Sequence, residues 1–392
     1  MLTCGWRQAH LASVYAVTLV SKVSEGKILR TDYRIQTTFP SMGIGDSSRY
    51  KNMLYDLYKK VAFKLDPELI HTMTLKGLDL TCQRDKPHFL ADEIPERPVN
   101  VMGLDFKNPV GLAAGMDKNG DYIDALGALG FGFIEIGTVT PRPQPGNPKP
   151  RLFRIPEQEA IINRMGFNNK GVDHLCEQVK RSRYTGVLGI NIGKNFDTPN
   201  ENALDDYLVG MDKVYQHADY ITVNISSPNT KGLRDLQSGE TFDQLVGSLK
   251  QKQMELADSY GSYTPLTIKI APDLTNEEIT FMAQTMLKHE VDAIIATNTT
   301  ISREGLDAYE ASDEAGGLSG FPLRDPSTTV IKKLQIVLED KIPIIGVGGI
   351  MRGKDALEKI NAGSRLVQVY SGLIYNGPPV VGDIVKAIPK SE

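Results

Sequence analysis

The chain has 392 residues, a formal net charge of -4 and a charged fraction of 23%. This length fits one large domain or two ordinary ones, and the even charge balance argues against a nucleic-acid partner. The three cysteines, Cys4, Cys82 and Cys176, are scattered, so their spacing predicts neither a metal site nor a disulfide framework, and a reducing compartment is expected. The sequence contains no apolar run near the ~20 residues that cross a bilayer.

Residues 1–52 differ from the rest of the chain because they show no sustained helical or strand period. Leu11 to Val20 is mildly apolar and follows Arg7, but no small-residue cleavage site of a signal peptide comes after it. A mitochondrial presequence would contain more arginine. We therefore expect the native protein to begin at Met53, with residues 1–52 as an added extension that is disordered or stems from the assigned start of the gene.

Two short helices are predicted next. Residues Met53–Leu65 carry large apolar residues and lysines at helical spacing. Asp66 followed by Pro67 is typical of a helix start, so a second helix is predicted to run to about Leu80. Their apolar stripes could pack on the body of the protein or lie at a membrane interface, and composition alone favours packing.

A regular alternation of strand and helix patterns follows the proline-rich connector, residues 84–98. Most of the strand candidates are continuous apolar runs, as expected for parallel strands covered on both faces. The predicted strands are Pro109–Ala113, Phe133–Ile136, Val187–Ile192, Tyr220–Ile225, Leu266–Ile270, Ala293–Thr297, Ile344–Val347 and Leu366–Val369. Helical patterns between them include Tyr122–Leu129, Phe242–Asp258, Asn276–His289, Ser327–Leu338, Asp355–Asn361 and Pro379–Ala387.

This alternation predicts an α/β fold, a (β/α)8 TIM barrel. Eight strand-then-helix units over about 280 residues match the count and length of such a barrel. The rival is a doubly wound open sheet, which usually has fewer strands and carries a G-x-G-x-x-G fingerprint after its first strand. That fingerprint is absent here, and no linker divides the barrel region in two.

The most informative stretch is Asp219–Gly232, an apolar strand followed by Asn224, Ser227 and Asn229 on a loop that contains proline. Amide side chains donate and accept hydrogen bonds without changing charge, so they suit a planar ligand with carbonyl and N–H groups. A serine beside such a ligand is a candidate nucleophile or proton acceptor. Taken in isolation, the sequence favours a polar turn after a strand over a binding loop.

The ends of the other predicted strands favour a binding loop over a turn. In a barrel of this type the site lies at the carboxyl ends of the strands. These ends are rich in small, amide and hydroxyl residues: Ala113–Lys118, Gly137–Thr138, Asn191–Asn195, Thr297–Thr300, Gly346–Gly349 and Tyr370–Gly372. Lys269 lies inside a buried strand, where its charge needs a polar or anionic partner, and the glycines of the last two strands suit a phosphate. The pattern predicts a phosphorylated, planar ligand and leaves the reaction open.

Five long motifs follow one another along the chain: Ala114–Lys118, Glu135–Asn147, Asn163–Asn168, Asn224–Thr230 and Ile345–Ile350. In this order they resemble the dihydroorotate dehydrogenase family. The resemblance covers the chain from Met53 to the C-terminus. Ser227 and the two N-terminal helices resemble the class 2, quinone-reducing branch, since class 1 enzymes use cysteine as the base. The amino-acid sequences of the motifs at Asn163 and at Gly189–Asn191 resemble those of the bacterial members.

The resemblance implies a set of binding residues. FMN would contact Ala114, Gly115, Met116, Asp117, Lys118, Thr138, Asn191, Asn224, Lys269, Thr297, Gly320, Gly349, Tyr370 and Ser371. Dihydroorotate would contact Lys118, Asn163, Arg164, Met165, Gly166, Phe167, Asn224, Asn229, Asn298 and Thr299. The flavin phosphate would lie near Gly349 and Ser371, and the pyrimidine among the asparagines.

The resemblance also implies a mechanism, with Ser227 as the catalytic base that removes the C5 proton of dihydroorotate while C6 delivers hydride to the flavin. Thr230 and Phe167 would belong to a proton relay. Lys269 would stabilise negative charge on the reduced flavin, and Lys118 would pair with the substrate carboxylate or the flavin.

Membrane association follows from the same resemblance. Residues 53–82 would form the two-helix mouth of a quinone tunnel and residues 83–392 the FMN-binding barrel. The protein would be peripheral on the cytoplasmic side of the cell inner membrane. The resemblance leaves open the oligomeric state and the natural quinone, ubiquinone or menaquinone.

Two other functions are to be weighed against this one. The same barrel could be a soluble FMN enzyme that uses fumarate or a nicotinamide cofactor, against which Ser227 and the two helices argue. It could instead be a non-catalytic, membrane-associated scaffold, which would lack catalytic groups that this chain retains.

Overall fold

The computed structural model describes residues 47–83, 86–230, 232–237 and 239–390. The strands are β1 (Val99–Val101), β2 (Leu104–Phe106), β3 (Val110–Leu112), β4 (Phe133–Val139), β5 (Leu152–Ile155), β6 (Ala160–Asn163), β7 (Val187–Ile192), β8 (Tyr220–Asn224), β9 (Leu266–Ile270), β10 (Ala293–Ala296), β11 (Gly317–Gly320), β12 (Ile344–Val347) and β13 (Ser364–Val369). The helices are α1 (Ser47–Ala62), α2 (Pro67–Thr81), α3 (Ile123–Gly127), α4 (Val172–Arg181), α5 (Ala203–Val214), α6 (Gly239–Tyr260), α7 (Asn276–Lys288), α8 (Arg324–Leu338), α9 (Gly353–Asn361), α10 (Ser371–Asn376) and α11 (Pro379–Ala387).

Eight parallel strands close into a barrel. Their order around it is β3, β4, β7, β8, β9, β10, β12 and β13, with β13 returning to pair with β3. Each coincides with a strand that the apolar runs predict, so the predicted (β/α)8 barrel is confirmed. Most of these strands are buried along their whole length because helices cover the outside and side chains fill the inside.

The amino-terminal end of the barrel is closed by a hairpin of β1 and β2. Phe106 of this hairpin packs edge-on against Phe133, with ring centroids 5.1 Å apart, and Phe133 packs against Tyr220 at 6.3 Å. All three side chains are fully buried. Because this end is filled, a ligand cavity has to lie at the carboxyl ends of the strands.

A second, antiparallel sheet of β5, β6 and β11 stands over one side of the barrel mouth. Its strands come from two distant parts of the chain, since β6 pairs with β11 through Ala160↔Gly320 and Asn163↔Gly317. This pairing brings the loop that follows Asn163 against the site end of the barrel.

The two predicted N-terminal helices are present, although the first begins at Ser47 instead of Met53. Its first turns lack the apolar periodicity on which the prediction depends. The second begins as predicted, because the Asp66 carboxylate accepts a hydrogen bond from the amide of Leu69 at 2.8 Å. The expectation that the native chain begins at Met53 stays a prediction, and residues 1–46 lie outside the described part of the chain.

Both helices pack on the barrel while keeping an apolar face exposed. On α1 the Tyr55 hydroxyl donates to the carbonyl of Ile374 at 2.7 Å, and the ammonium of Lys59 donates to that of Tyr375 at 2.8 Å. Yet Met53 of α1 is 59% exposed and Leu80 of α2 is 82% exposed. Among the helices of the described residues, none combines the length and apolarity that a bilayer crossing requires.

Candidate active site

A cavity of about 1000 Å³, counted with its open mouth, lies at the carboxyl ends of the barrel strands. It brings together residues from nearly every strand end and from the loop after Asn163. The predicted site residues that line it are Ala114, Gly115, Lys118, Thr138, Asn163, Met165, Gly166, Phe167, Asn224, Ser227, Asn229, Lys269, Thr297, Asn298, Thr299, Gly320, Gly349, Tyr370 and Ser371. Such a mixed lining of apolar and polar groups is usual for a cofactor site.

A chain of hydrogen bonds fixes the amides on the floor of the cavity. Asn224 donates to the hydroxyl of Thr138 at 2.9 Å, and this hydroxyl donates to the Asn191 amide oxygen at 2.6 Å. Asn191 in turn donates to the Glu135 carboxylate at 2.8 Å. On the other side, the Asn298 amide donates to the Asn224 oxygen at 3.2 Å. The side-chain amides of this series therefore each have one defined orientation of their oxygen and nitrogen.

Glu135 is the acceptor at which this series of hydrogen bonds ends. Its buried carboxylate also accepts hydrogen bonds from Tyr220 at 3.0 Å, Thr222 at 3.1 Å and Gln368 at 2.8 Å. Burial, together with the charge of Glu135, raises the pKa of Tyr220, so this phenol is a fixed donor. The other amide atom of Gln368, Oε1, is buried and has no partner among the described residues.

Lys269 is buried beside Asn224, its register partner across β8 and β9. Burial lowers the pKa of Lys269, while the charge of Glu135 opposes that shift. Its ammonium lines the cavity but forms no hydrogen bond with any other described residue. A buried cation without a partner is costly, so this part of the cavity suits an electron-rich or anionic group.

Ser227 lines the cavity on the loop that follows β8. Its Oγ accepts a hydrogen bond from the amide of Asn229 at 3.2 Å, and the Asn229 side chain donates to Asn163 at 3.1 Å. The preceding Ser226 differs because its hydroxyl donates to the Asn224 amide oxygen at 3.3 Å while it accepts from Asn298 at 3.0 Å. Ser227 is therefore the serine of this pair whose hydroxyl faces the cavity with its proton uncommitted among the described residues.

Lys118 brings a second cation to the cavity, close to helix α2. Its ammonium donates to the carbonyl of Gly115 at 2.8 Å, and burial lowers the pKa of Lys118 to about 8. His71 of α2 lies near it, and burial followed by the charge of Lys118 lowers the pKa of His71 to about 4. The imidazole is therefore neutral near pH 7, and through it α2 lies close to Lys118 on the cavity lining.

Another part of the cavity lining consists of glycines and hydroxyls. A Cβ on Gly349, which has a φ of +69°, would lie 2.3 Å from the Cα of Arg324, so only glycine fits. The hydroxyls of Ser319 and Ser371 lie 3.0 Å apart beside it. The residues that line the cavity include no Asp or Glu, so no carboxylate on the lining would repel an anion. Backbone amides and hydroxyls in this setting suit phosphate oxygens.

A family model for dihydroorotate dehydrogenase matches residues 98–391. The chain belongs to the dihydroorotate dehydrogenase family.

Individual relatives agree with the family model. The dihydroorotate dehydrogenase (quinone) of Cellvibrio japonicus is 59% identical over 328 residues, which cover 84% of this chain and 96% of that one. The enzyme of the same name from Acinetobacter baylyi is 57% identical over 336 residues, 86% of this chain and 100% of that one. A crystal structure of DHODH in complex with ferulenol from Eimeria tenella superposes with a TM-score of 0.76 at 41% identity, covering 82% of this chain and 90% of that one.

These comparisons confirm the resemblance on which the predicted enzyme class rests. The shared name of the bacterial relatives supports oxidation of dihydroorotate with a quinone as the acceptor, in pyrimidine biosynthesis. It argues against the fumarate or nicotinamide alternative and against a non-catalytic scaffold.

Four predicted contact residues lie outside the lining of the cavity. Asn191 lies beneath Thr138, and Met116 is buried behind Gly115. Asp117 accepts hydrogen bonds from three backbone amides, including that of Tyr122 at 2.7 Å, and so shapes the loop after β3. Arg164 points away to Glu314, 2.5 Å from its carboxylate.

The lining residues to which the resemblance assigned no contact are Ala113, Ser319, Leu323, Val347, Gly348, Ile350 and Gln368. Most of them adjoin a predicted residue along the chain. Ser319 and Gln368 carry polar groups and are the informative omissions. Gln368 could have been found as a polar residue within an apolar strand, the signal that identified Lys269.

Proposed function

We propose that this chain oxidises (S)-dihydroorotate to orotate with FMN as its cofactor and passes the electrons to a membrane quinone. The observation that carries the proposal is one cavity whose lining includes Ser227, Gly349 and Lys269, with no hydrogen-bond partner for the Lys269 ammonium among the described residues. When bound, FMN supplies the hydride acceptor of this oxidation and the route by which electrons leave.

The groups on the lining fit this cofactor. Lys269 and the unpartnered amide oxygen of Gln368 match a polar, electron-rich ring system. Gly320, Gly349 and Ser371 match a phosphate in another part of the cavity. The remaining proposed contacts come from Ala114, Gly115, Lys118, Thr138, Asn224, Thr297 and Tyr370 on the lining, and from Met116, Asp117 and Asn191 behind it.

The substrate is proposed to lie among the amides near Ser227. Asn224, Asn229 and Asn298 have their orientations fixed by the hydrogen bonds described above, so they position a pyrimidine without reorganising. Lys118 supplies a cation for the substrate carboxylate. The loop Asn163–Phe167, with Thr299, completes this part of the site, and Arg164 supports the loop from outside.

Ser227 is proposed to take the proton from C5 of dihydroorotate. A serine hydroxyl is a weak base near pH 7, so it has to hand its own proton onward as it accepts one. The backbone amide of Asn229 donates to Oγ and stabilises the oxygen as it gains negative charge. Thr230, buried on the same loop, and Phe167, on the lining, are the proposed relay neighbours.

The quinone is proposed to enter between α1 and α2. The exposed apolar residues of this pair, Met53, Leu57, Val61, Leu69 and Leu80, form a surface suited to a lipid interface. His71 of α2 lies beside Lys118, so the pair connects that surface with the cavity. This surface supports peripheral attachment to a membrane, and the cytoplasmic side of the inner membrane is proposed from the family resemblance.

Anaerobic mixing of the purified protein with dihydroorotate tests the proposal. The flavin absorbance should bleach, and it should return when ubiquinone or menaquinone is added but not when fumarate or NAD is added. A colourless protein, or a flavin that dihydroorotate does not bleach although dithionite does, would overturn the assignment.

A further inference from the structure

Arg234 lies on the connection between β8 and α6, the same connection that carries Ser227. It belongs to a short 3₁₀ helix, Leu233–Gln237. Its side chain does not line the cavity, although it is only 21% exposed. The mechanism above assigns no role to it.

The guanidinium of Arg234 contacts the loops after three successive barrel strands. Its Nε donates to the carbonyl of Ser226, after β8, at 3.1 Å. One terminal nitrogen donates to the Asp273 carboxylate, after β9, at 2.8 Å. The other donates to the carbonyl of Thr299, after β10, at 2.8 Å.

Asp273 extends this connection. Besides Arg234, its carboxylate accepts hydrogen bonds from the hydroxyl of Thr300 and from the amide of Ile301, the latter at 3.1 Å. The pair is largely shielded from solvent, with Asp273 only 19% exposed. Charge-assisted hydrogen bonds in such a setting are stronger and more directional than those of an exposed pair.

We infer that Arg234, held by Asp273, is a positioning residue that sets the Ser227 hydroxyl and Thr299 at their working places across the cavity mouth. The carbonyl of Ser226 belongs to the peptide group that leads directly into Ser227. Fixing that carbonyl fixes the direction in which Ser227 leaves the backbone. Fixing the carbonyl of Thr299 does the same on the facing loop. This inference rests on the proposed function and adds to it the residue that orients the base.

The planar guanidinium is suited to this task in a way that an ammonium is not. Its nitrogens point in fixed, diverging directions, so one side chain can serve three acceptors on three loops at once. A lysine at this position keeps the charge but donates from a single point. Arg234→Lys therefore removes orientation and retains the cation.

The experiment compares Arg234→Lys and Asp273→Asn with the wild type and with Arg142→Lys as a matched control. Arg142 forms a bidentate pair with Asp197 at the same end of the barrel, is 58% exposed and contacts no residue named in the mechanism. For each protein, flavin content, thermal stability, orotate affinity and the anaerobic rate of flavin reduction by saturating dihydroorotate are measured.

We expect both Arg234→Lys and Asp273→Asn to retain flavin and to bind orotate within about threefold of the wild type. Flavin reduction should slow by up to about 100-fold, the usual cost of misplacing a reacting group by about 1 Å. A double variant that combines Arg234→Lys with Asp273→Asn should be no slower than the slower single variant, because the two residues act as one unit. Arg142→Lys should reduce its flavin at the wild-type rate.

Reduction rates within about twofold of the wild type in flavin-loaded protein would overturn the inference. A loss confined to thermal stability or flavin content would also overturn it, because that would indicate a purely structural role. If Arg234→Lys does not fold, the rate of flavin reduction in Asp273→Asn tests the inference by the same twofold limit. Failure of the proposed function is distinguishable, since the wild type would then not be bleached by dihydroorotate at all.

Discussion

The side-chain amide of Asn224 lies 2.9 Å from the hydroxyl of Thr138 and donates a hydrogen bond to it. This contact joins the ends of β8 and β4 across the inside of the barrel. The Thr138 hydroxyl donates its own hydrogen bond to the amide oxygen of Asn191 at 2.6 Å, so it has to accept from Asn224. This fixes which edge of the Asn224 amide is the donor. A planar ligand in the cavity therefore meets an amide that is already oriented.

Asn224→Asp tests this orientation. The carboxylate has no proton for Thr138, so either Thr138 abandons Asn191 or two acceptors face each other. We expect orotate to bind about 10- to 100-fold more weakly, the cost of leaving a buried polar group unpaired. Titration of the flavin absorbance with orotate measures it. Wild-type affinity in Asn224→Asp would contradict the role of the Thr138 contact.

Ser227→Ala tests the base. The variant retains the loop and should bind orotate like the wild type, because the hydrogen bond that Ser227 accepts comes from a backbone amide. Flavin reduction by dihydroorotate near pH 7 should slow by roughly 10²- to 10⁴-fold in stopped-flow measurements. Ser227→Cys supplies the control, since a thiol at the same place should restore part of the rate. An unchanged rate in Ser227→Ala would exclude this serine as the base.

Lys269→Met should have opposite effects on the empty and the loaded protein. Burial lowers the pKa of Lys269, so the folded chain disfavours its charge, and the apoprotein should gain thermal stability in the variant. FMN should dissociate about 10- to 100-fold more readily, because the ligand loses a charged hydrogen-bond donor. Melting curves with and without added FMN measure both effects. An equally yellow variant after gel filtration would contradict the assignment.

The titration of Lys118 predicts how ligand binding depends on pH. Its pKa, lowered by burial to about 8, means that the ammonium is charged below that pH and loses its charge above it. Orotate affinity should be constant near pH 6 to 7 and should weaken above pH 8, by up to about tenfold per pH unit. Lys118→Arg, which stays charged, should remove this dependence. A flat profile in the wild type would exclude Lys118 as the partner of the carboxylate.

The strand ends were predictable because each barrel strand is a short apolar run followed by small polar residues, a local signal. Lys269 was identifiable for the same reason, as one charge within an apolar run. Ser319 was not identifiable in this way, because the antiparallel pairing of β11 with β6 brings it to the site, and no local sequence pattern predicts that pairing. Arg234 was missed likewise, because its three acceptors lie on loops that only barrel closure brings together.

Leu57→Glu and Leu80→Glu test the membrane surface of the helix pair. Leu57 is 55% and Leu80 82% exposed, so a glutamate at either place costs the fold little. Each should weaken binding to anionic phospholipid vesicles by about tenfold or more, since each removes a leucine from the lipid contact. Flavin reduction by dihydroorotate should stay at the wild-type rate, because neither residue lines the cavity. Ile336→Glu, at a residue 76% exposed on α8, is the matched control and should leave vesicle binding intact. Equal loss in all three variants would show that binding follows net charge and not this surface.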